Sequence, residues 1–379
     1  MSLNAAVRSE RDQPGREVPE PTESDTGLRV LFDVGHPAQV HLFRNAIDVL
    51  ERAGHETFVA SREKEVTVDL LDAYGIAHLP LTKRGDSFPG LLWELACRER
   101  RLLSVARRFE PDVVASRLSP AAAHVSRLVG CRNVVVSDTH IDSPVMRLLS
   151  QRLTLPFVDT VCAPADFDLP VPERKRRALD FQELAYLHPE YFRPDSVALA
   201  EAGVDPGEPY FFVRLAGWDA YHDVGHKGLS PDAVRELVSF LSEHGTVYLS
   251  AETELPLDLR EHRLPVPPEY VHDVLYYADL YVGDSGTMST EAALLGTPAV
   301  RTNTLVGDDD ENVFRELEHR YGLLSSFADE NEAIAEVKRL VEAGIDEGEW
   351  HRRRDKLVDE QPNVTERMVD VILEGATPS

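Results

Sequence analysis

Short apolar runs alternate along the chain with longer segments whose apolar residues recur three and four positions apart. The runs are typical of strands buried in a parallel sheet, and the longer segments are typical of helices that cover it. In the first half the pattern predicts strands at Arg29–Val34, Glu56–Ala60, Val113–Ala115, Asn133–Val136 and Val158–Cys162. It predicts helices at His41–Arg52, Leu91–Arg108 and Ala121–Leu128. We therefore expect α/β architecture with a parallel sheet.

The alternation stops in the middle of the chain and then restarts. The segment Leu187–Asp195 contains Pro189 and Pro194, which disfavour a continuous helix. Beyond it the pattern predicts strands at Tyr210–Arg214, Thr246–Leu249, Leu280–Val282 and Ala299–Val300. It predicts helices at Pro231–Glu243, Val271–Ala278, Thr290–Leu295, Glu332–Ala343, Glu349–Asp359 and Thr365–Leu373.

The chain of 379 residues therefore divides into two similar α/β halves. We expect a disordered acidic tail at residues 1–27, a first domain at 28–187 and a second domain at 188–360. Residues 361–379 are expected to form a last helix that packs back on the first domain. Two facing domains of this kind predict a ligand cleft between them.

Charge is the most unusual property of the composition. The chain has 40 basic and 66 acidic residues, a net charge of −26, and its basic residues are nearly all arginine. Dispersed acidic charge predicts a halophilic protein, because salt at 1 M screens repulsion over about 3 Å. The same charge disfavours nucleic acid as a partner. It also means that an isolated carboxylate carries little weight as a catalytic candidate.

No apolar run reaches the roughly 18 residues that a membrane-spanning helix needs. Residues 1–27 are polar and lack the apolar centre of a signal peptide. We therefore expect a cytoplasmic protein without an integral membrane segment, and peripheral membrane association stays open. Cys97, Cys131 and Cys162 have the spacing of neither a metal site nor a disulfide framework.

The segment Asp279–Pro298 carries the clearest chemical signal. An apolar strand is followed by small polar residues, and a helix is expected to begin near Ser289. Ser285, Gly286 and Thr287 then lie where backbone N–H groups face outward at the positive end of a helix. Because glycine lacks a side chain, Gly286 would let a phosphate approach the backbone closely. The segment therefore predicts a phosphate site.

Glu291 is expected in the first turn of that helix, where its carboxylate could accept hydrogen bonds from two ribose hydroxyls. The alternative is a structural turn in which Glu291 belongs to a capping box. The letters of Gly283–Gly286 also match the nucleophile segment of trypsin-like serine proteases, which are all-β proteins. The segment lies instead between a strand and a helix, so a serine hydrolase is disfavoured.

The loop after the first predicted strand carries two histidines, His36 and His41. Such a loop lies at the carboxyl edge of a parallel sheet, where ligands bind. Either imidazole could act as an acid, a base or a phosphate donor, and the alternative for both is a capping or packing role. The loop lacks Gly-x-Gly-x-x-Gly, so we expect no dinucleotide and no other cofactor.

The loop that leaves the first strand of the second half carries Arg214 and Lys227, two cations that could meet phosphates. It also contains His222-Asp223-x-x-His226, which is a weak metal-ligand pattern. The acidic run Asp308–Glu311 follows a glycine and is typical of a solvated loop. We therefore predict no metal site.

Several segments together resemble the archaeal and bacterial family catalogued as domain of unknown function 354, and the resemblance extends from Leu28 to about Leu373. The segments are Gly35–Phe43, Leu187–Asp195, Ala220–Asp223, Val271–Asp279 and Gly283–Pro298. That family is similar to the glycosyltransferase B fold, which has two facing Rossmann-like domains. UDP-N-acetylglucosamine 2-epimerase and the transferase that makes lipid II share this fold.

The resemblance implies that the first domain holds an acceptor and the second a nucleotide-sugar. Ser285 and Gly286 match the diphosphate-binding turn of the epimerase, and Glu291 matches its ribose-binding residue. Arg214 resembles the arginine that ends the first strand of the epimerase's second domain. The catalytic acids of the epimerase have no match in the first half of this chain.

Our hypothesis is a metal-independent glycosyltransferase that takes a nucleoside-diphosphate sugar, with a UDP-sugar favoured. Its acceptor would be a glycan or lipid in surface glycan or glycolipid assembly, and His36 or His41 would deprotonate the acceptor hydroxyl. Two alternatives remain, a sugar-nucleotide epimerase and a non-catalytic nucleotide-binding protein of the same fold.

Overall fold

The computed structural model describes residues 18–19, 27–64, 66–83, 88–137, 144–165, 169–216, 228–307, 310 and 312–375. The side chains of residues 88–89, 91–92, 144–147 and 149 are outside this description. The chain separates into two compact units. Unit 1 comprises residues 1–186 together with 364–379, and unit 2 comprises residues 187–363.

Unit 1 is built on a parallel sheet. Its strands are β1 (Arg29–Val34), β2 (Glu56–Glu63), β3 (His78–Lys83), β4 (Val113–Ser116), β5 (Arg132–Val136), β6 (Thr160–Ala163) and β7 (Arg176–Ala178). Its helices begin with α1 (Pro37–Arg52), α2 (Thr67–Ala73), α3 (Phe88–Phe109), α4 (Pro120–Val129), α5 (Pro144–Leu153) and α6 (Leu184–Leu187), the last of which reaches the boundary with unit 2.

The strands of unit 1 lie in the order β3-β2-β1-β4-β5-β6-β7. The chain winds outward in one direction from β1 and in the other from β4, so the switch point of the sheet lies between these two strands. Helices α3 and α4 pack on the sheet through one apolar cluster. It includes Leu31, Phe58, Leu102, Phe109, Val114 and Val125.

Unit 2 has a smaller parallel sheet. Its strands are β8 (Tyr210–Leu215), β9 (Thr246–Ala251), β10 (Leu280–Gly283), β11 (Ala299–Thr302) and β12 (Leu324–Phe327). Its helices are α7 (Ser196–Ala202), α8 (Pro231–Leu241), α9 (Val271–Tyr277), α10 (Gly286–Leu295), α11 (Asn312–Arg315), α12 (Glu330–Ala343) and α13 (Glu347–Glu360). A π-helical turn, Glu316–Arg320, follows α11.

The strands of unit 2 lie in the order β12-β11-β10-β8-β9, and all neighbours are parallel. Helices α8 and α12 cover one face through an apolar cluster that includes Val213, Leu237, Leu249, Val282 and Val337. Helix α10 packs with α9 and α13 and with strands β10 and β11. The predicted α/β class with parallel sheets is thus confirmed in both units.

The last helix, α14 (Val364–Leu373), belongs to unit 1 and packs against α1. Thr365 Oγ1 donates a hydrogen bond to the Ala185 carbonyl oxygen at 2.7 Å. Arg132 donates to the carbonyl oxygens of Val371 and Ile372 at 2.9 and 3.1 Å. The guanidinium therefore satisfies carbonyls at the end of α14, which have no partner inside the helix. In the described part of the chain, none of the helices is both long and apolar enough to cross a bilayer.

Candidate functional site

The segment Gly283–Thr287 lies at the switch point of the sheet in unit 2. The chain starts at β8, passes to the edge strand β9 and returns to β10 on the other side of β8. In sheets of this order, ligands bind beyond the carboxyl ends of the first and third strands. Gly283 pairs in register with Arg214 at the ends of β10 and β8. The predicted phosphate turn and Arg214 therefore lie side by side at the position where sheets of this topology bind ligands.

Helix α10 begins at Gly286, so the prediction of a start near Ser289 was wrong. Ser285 is the N-cap residue, and its Oγ accepts a hydrogen bond from the Met288 N–H at 3.4 Å. Ser289 Oγ donates back to the Ser285 carbonyl oxygen at 2.7 Å. Capping by Ser285 offsets the poor helix propensity of glycine, serine and threonine in this turn. Gly286 and Thr287 are consequently the first two helical residues.

The first turn of α10 presents its backbone to solvent. Thr287 is exposed, Ser285 and Gly286 are half-buried, and every residue from Ser289 to Leu295 is buried. The N–H groups of a first helical turn have no partner within the helix. They carry the positive end of the helix dipole, which attracts anions. The geometry of Ser285–Thr287 is therefore that of an anion site at the start of a helix that is buried from Ser289 onward.

The turn is anchored to the strands on both sides of β10. Asp284 is buried, and its Oδ1 accepts a hydrogen bond from the Ala216 N–H at 2.6 Å, just beyond β8. Asn303 Nδ2, just beyond β11, donates to the Asp284 carbonyl oxygen at 3.1 Å. Asp284 is thus a structural link and not an exposed nucleophile or base.

Two glycines in the turn are explained by packing. A Cβ atom on Gly283 would lie 2.4 Å from the Tyr281 hydroxyl and 2.8 Å from the Arg214 carbonyl oxygen. A Cβ atom on Gly286 would lie 2.9 Å from Cζ of Phe314. All three distances are too short for any other residue without a shift of the neighbours. The absence of side chains also leaves the backbone of the turn open to a ligand.

Arg214 ends β8 beside this turn. Its Nη1 donates to Ser250 Oγ at 2.7 Å, and its Nη2 pairs with Glu252 Oε1 at 2.9 Å. The Glu252 side chain is 49% exposed, so solvent reaches the ion pair. Exposed ion pairs contribute about 1 kcal/mol or less to the stability of the folded protein. A bound phosphate can therefore replace Glu252 as the partner of Arg214 at low cost.

A second arginine lies on the opposite side of β10 from Arg214, near the end of β11. Arg301 is buried and forms two parallel hydrogen bonds of 2.9 Å with the carboxylate of Asp310. Its guanidinium carbon lies 3.5 Å from the centre of the Phe314 ring, the ring that packs on Gly286. Arg301 and Asp310 thus hold the aromatic ring that packs on Gly286 in the predicted phosphate turn.

Glu291 lies in the second turn of α10, not in the first. It is not part of a capping box, because Met288 occupies that position of the helix. Its side chain is 6% exposed and its Oε1 lies 3.3 Å from Nε2 of His272, on α9. His272 lies in Val271–Asp279, one of the segments that carry the family resemblance, but the sequence indicates no role for it. The structure places His272 beside the carboxylate of Glu291.

Burial shifts the pKa of two further groups in unit 2, one beside the turn and one on α9. It raises the pKa of the Tyr281 phenol, which lies under Gly283. Burial also raises the pKa of Asp273, although this carboxylate accepts a hydrogen bond from the Asp195 N–H at 2.8 Å. Tyr281 therefore stays neutral at physiological pH.

The two histidines predicted as catalytic lie in unit 1. His36 is the N-cap of α1, and its Nδ1 accepts a hydrogen bond from the Ala38 N–H at 3.2 Å. Its neutral ring therefore carries the proton on Nε2 and acts there as a donor. His41 is 6% exposed, with Nδ1 3.4 Å from the Tyr74 hydroxyl, and its ring packs on Tyr186. The capping and packing alternatives thus describe what both side chains do in the free protein.

A buried charge network that the sequence does not predict lies at the carboxyl edge of the first sheet. Asp33, at the end of β1, pairs with Arg98 and accepts a hydrogen bond from Ser119 Oγ at 2.6 Å. Glu94 pairs with Arg62 at the end of β2. The network joins α3 and the start of α4 to the switch point of this sheet. No local pattern indicated it, because the partners are far apart in sequence.

Several predicted candidates lie outside the described residues. They are Lys227, the histidines and aspartate of His222–His226, and Asp308, Asp309 and Glu311. Within the described ranges, His, Cys, Asp and Glu side chains form no group of three that could hold a metal ion.

Comparison with known proteins identifies the fold. The uncharacterized protein MJ0665 of Methanocaldococcus jannaschii is 25% identical over 288 residues, covering 72% of this chain and 81% of that protein. The structure of Neisseria meningitidis UDP-GlcNAc 2-epimerase bound to UDP-GlcNAc is similar, with a TM-score of 0.61 and 15% identity. The match covers 92% of this chain and 100% of the epimerase. Spinosyn forosaminyltransferase SpnP is also similar, with a TM-score of 0.59, 17% identity, and coverage of 92% and 100%.

The chain therefore has the fold of the glycosyltransferase B and UDP-GlcNAc 2-epimerase structures, with two Rossmann-like α/β domains, and this prediction is confirmed. No family model matches the chain, so its membership in domain of unknown function family 354 stays a prediction.

Proposed function

We propose that this protein is a glycosyltransferase that takes a nucleoside-diphosphate sugar, with a UDP-sugar favoured, as the donor. The observation that carries the proposal is the turn Ser285–Thr287, which starts a buried helix at the switch point of the second sheet, beside Arg214. The UDP-GlcNAc in the similar Neisseria epimerase supports a uridine nucleotide. A surface glycan or a glycolipid is the acceptor class that we propose.

The chemistry follows from the charge that develops on the donor. When the bond between the sugar and the diphosphate breaks, negative charge grows on the leaving diphosphate. The N–H groups of Gly286 and Thr287 and the guanidinium of Arg214 would stabilise that charge without reorganising. Their positive charge takes the role that a metal ion has in other transferases, so the proposed reaction needs no metal. Lys227 is a further cation proposed to bind the diphosphate.

The acceptor is proposed to bind unit 1 near His36 and His41. His36 is the better placed, because it is half-buried at a helix start, whereas His41 is packed between tyrosines. In this tautomer Nε2 of His36 carries a hydrogen and acts as a hydrogen-bond donor. To act as a base through Nδ1, the ring has to break the hydrogen bond that Nδ1 accepts from the Ala38 N–H. His36→Ala and His41→Ala variants, each assayed for sugar transfer at saturating donor, show which of the two histidines is needed for the reaction. The histidine hypothesis fails if both retain wild-type kcat.

The epimerase alternative is supported by the fold of the Neisseria enzyme. It predicts conversion of the nucleotide-sugar to an isomer when no acceptor is present, whereas a transferase leaves the donor intact or hydrolyses it slowly. Incubation of the protein with UDP-GlcNAc alone, followed by separation of the sugar-nucleotides, distinguishes these reactions. An isomer formed at a catalytic rate would replace the transferase proposal.

The donor site is tested by thermal shift with nucleoside diphosphates and their sugars in concentrated KCl. A ligand at 100 times its Kd stabilises the folded protein by about 2.7 kcal/mol. Arg214→Gln should weaken binding of the diphosphate about tenfold or more, since it removes a charged hydrogen bond. Arg339→Gln is the matched control, because Arg339 also pairs with a glutamate but lies on α12. If no nucleotide stabilises the wild-type protein, the donor site is refuted.

A further inference from the structure

A histidine lies behind the carboxylate that the resemblance assigns to the ribose. His272 is the second residue of α9, Glu291 lies in the second turn of α10, and the two helices pack together. The distance from Nε2 of His272 to Oε1 of Glu291 is 3.3 Å, and the side chains are 2% and 6% exposed. An ionised carboxylate only accepts hydrogen bonds, so the imidazole donates through Nε2.

The surroundings hold His272 in place. The Phe192 ring meets the imidazole edge-on, with 6.2 Å between ring centres. The next residue, Asp273, accepts a hydrogen bond from the Asp195 N–H at 2.8 Å, which ties α9 to the start of α7. Thr297, just beyond α10, donates at 2.6 Å to a carbonyl oxygen of α9. Helix α9 is thus tied to α7 next to His272 and to Thr297, just beyond α10, near its own end.

A contribution to the stability of the fold does not by itself explain why His272 and Glu291 are buried together. Burial of a carboxylate and an imidazole loses hydration, and apolar residues of similar volume often stabilise a fold as well or better. Glu291 is five residues beyond Gly286, which places it roughly 7.5 Å further along the helix axis at 1.5 Å per residue. A nucleotide whose diphosphate lies at the start of α10 can bring its ribose to that level.

Resting on the proposed donor site, we infer that His272 is a positioning residue that makes this site selective for ribonucleotides over 2′-deoxyribonucleotides. With one oxygen held by His272, the Glu291 carboxylate has a single orientation in which it accepts hydrogen bonds from the 2′ and 3′ hydroxyls. A 2′-deoxy nucleotide leaves a buried carboxylate without one of these donors. The substrate class is therefore a ribonucleoside-diphosphate sugar.

The test compares the Kd of UDP with the Kd of 2′-deoxy-UDP, measured by titration calorimetry in concentrated KCl. The wild-type protein should prefer UDP by about tenfold, the worth of one charged hydrogen bond. His272→Leu and His272→Asn should reduce the preference to about twofold, because neither side chain can reach Glu291 as a donor. His272→Gln should retain most of the preference, since its amide N–H can replace Nε2–H. His262→Leu is the matched control, because His262 bonds the Val247 carbonyl oxygen, away from α9 and α10.

A merely structural role for His272 would weaken both nucleotides equally and leave the ratio of their Kd values unchanged, and that result would overturn the inference. His272→Asn and His272→Gln keep a polar side chain, so the ratio can be read even if the leucine variant does not fold. The adenosine, guanosine and cytidine diphosphates with their deoxy forms are titrated as well. If none of these nucleotides binds the wild-type protein, the proposed donor site itself is refuted, whereas binding with an unchanged ratio refutes the role of His272 alone.

Discussion

Both packing against Phe314 and the proposed binding of a ligand require a residue without a side chain at Gly286. Phe314 lies where a side chain at this position would be, with 2.9 Å between its Cζ and the position of a Cβ atom. The same absence of a side chain leaves the first turn of α10 open to an anion. The sequence alone cannot separate the two causes, because either one is sufficient to require glycine.

A pair of substitutions separates them. Gly286→Ala should destabilise the protein by about 1–3 kcal/mol through overpacking against Phe314, and it should weaken nucleotide binding. Adding Phe314→Leu removes the ring atom in contact and should restore most of the stability. We expect nucleotide affinity to stay low in the double variant, as measured by thermal unfolding and calorimetric titration. Recovery of affinity together with stability would assign Gly286 to packing alone.

The side-chain pairs around both sheets are what the sequence could not predict. Arg98 and Asp33 are 65 positions apart, and His272 and Glu291 are 19 positions apart. Because the chain has 66 acidic residues, no single carboxylate stands out as a partner. The positions of Ser285, Gly286 and Arg214 at strand ends could be predicted, since a strand end followed by small residues is a local pattern, whereas their role in binding stays a prediction. Their contacts depend on strand order, which single positions do not encode.

At the scale of elements, the strands that escaped prediction lie at the edges of the sheets. Strand β3 and strand β7 flank the first sheet, and β12 ends the second. β3 contains Pro80, which an edge strand tolerates because one of its sides makes no hydrogen bonds. β12 is buried only at its first residue, so it lacks a continuous apolar run. The central strands were predicted because burial on both faces leaves a clear apolar signal.

The contact between α9 and α7 gives a prediction about pH. Burial raises the pKa of Asp273 above its unfolded value, so the ionised carboxylate costs stability above the folded pKa. That cost is absent below the unfolded pKa. Asp273→Asn can still accept the hydrogen bond from the Asp195 N–H, so it should raise Tm at pH 7. The gain should shrink as the pH falls towards about 4, near the ordinary pKa of aspartate.

Asp258→Asn is a control for which we expect a change in Tm of the opposite sign. A hydrogen bond from Arg235 lowers the pKa of Asp258, so ionisation of this exposed group favours the folded state. Its loss should lower Tm slightly at pH 7, and most of this effect should persist down to pH 4, because the folded-state pKa of Asp258 lies below the ordinary value of about 4. Scanning calorimetry of both variants from pH 4 to pH 8 checks the signs. If Asp273→Asn were less stable than the wild-type protein at pH 7, the structural argument about burial would be wrong.

At the scale of the whole molecule, the order of strands decides more about function than any single motif. Each sheet has one switch point, between β1 and β4 in unit 1 and between β8 and β10 in unit 2. The loops predicted to carry site residues start from β1, β8 and β10, and these strands border the two switch points. Alternation of strands and helices was enough to predict the fold class. It left the reaction open, because a fold supports many chemistries.

The net charge of −26 gives a prediction for the whole molecule. Mutual repulsion of surface carboxylates destabilises the compact state, and salt reduces it as the Debye length falls from about 10 Å at 0.1 M to about 3 Å at 1 M. The Tm should therefore rise steeply with KCl up to about 1 M and then level off. Sucrose is the control, because it strengthens burial without screening charge. A Tm that rises equally with sucrose, or that rises only at higher salt, would mean that screening is not the cause, because screening is nearly complete once the Debye length is shorter than the spacing between surface charges.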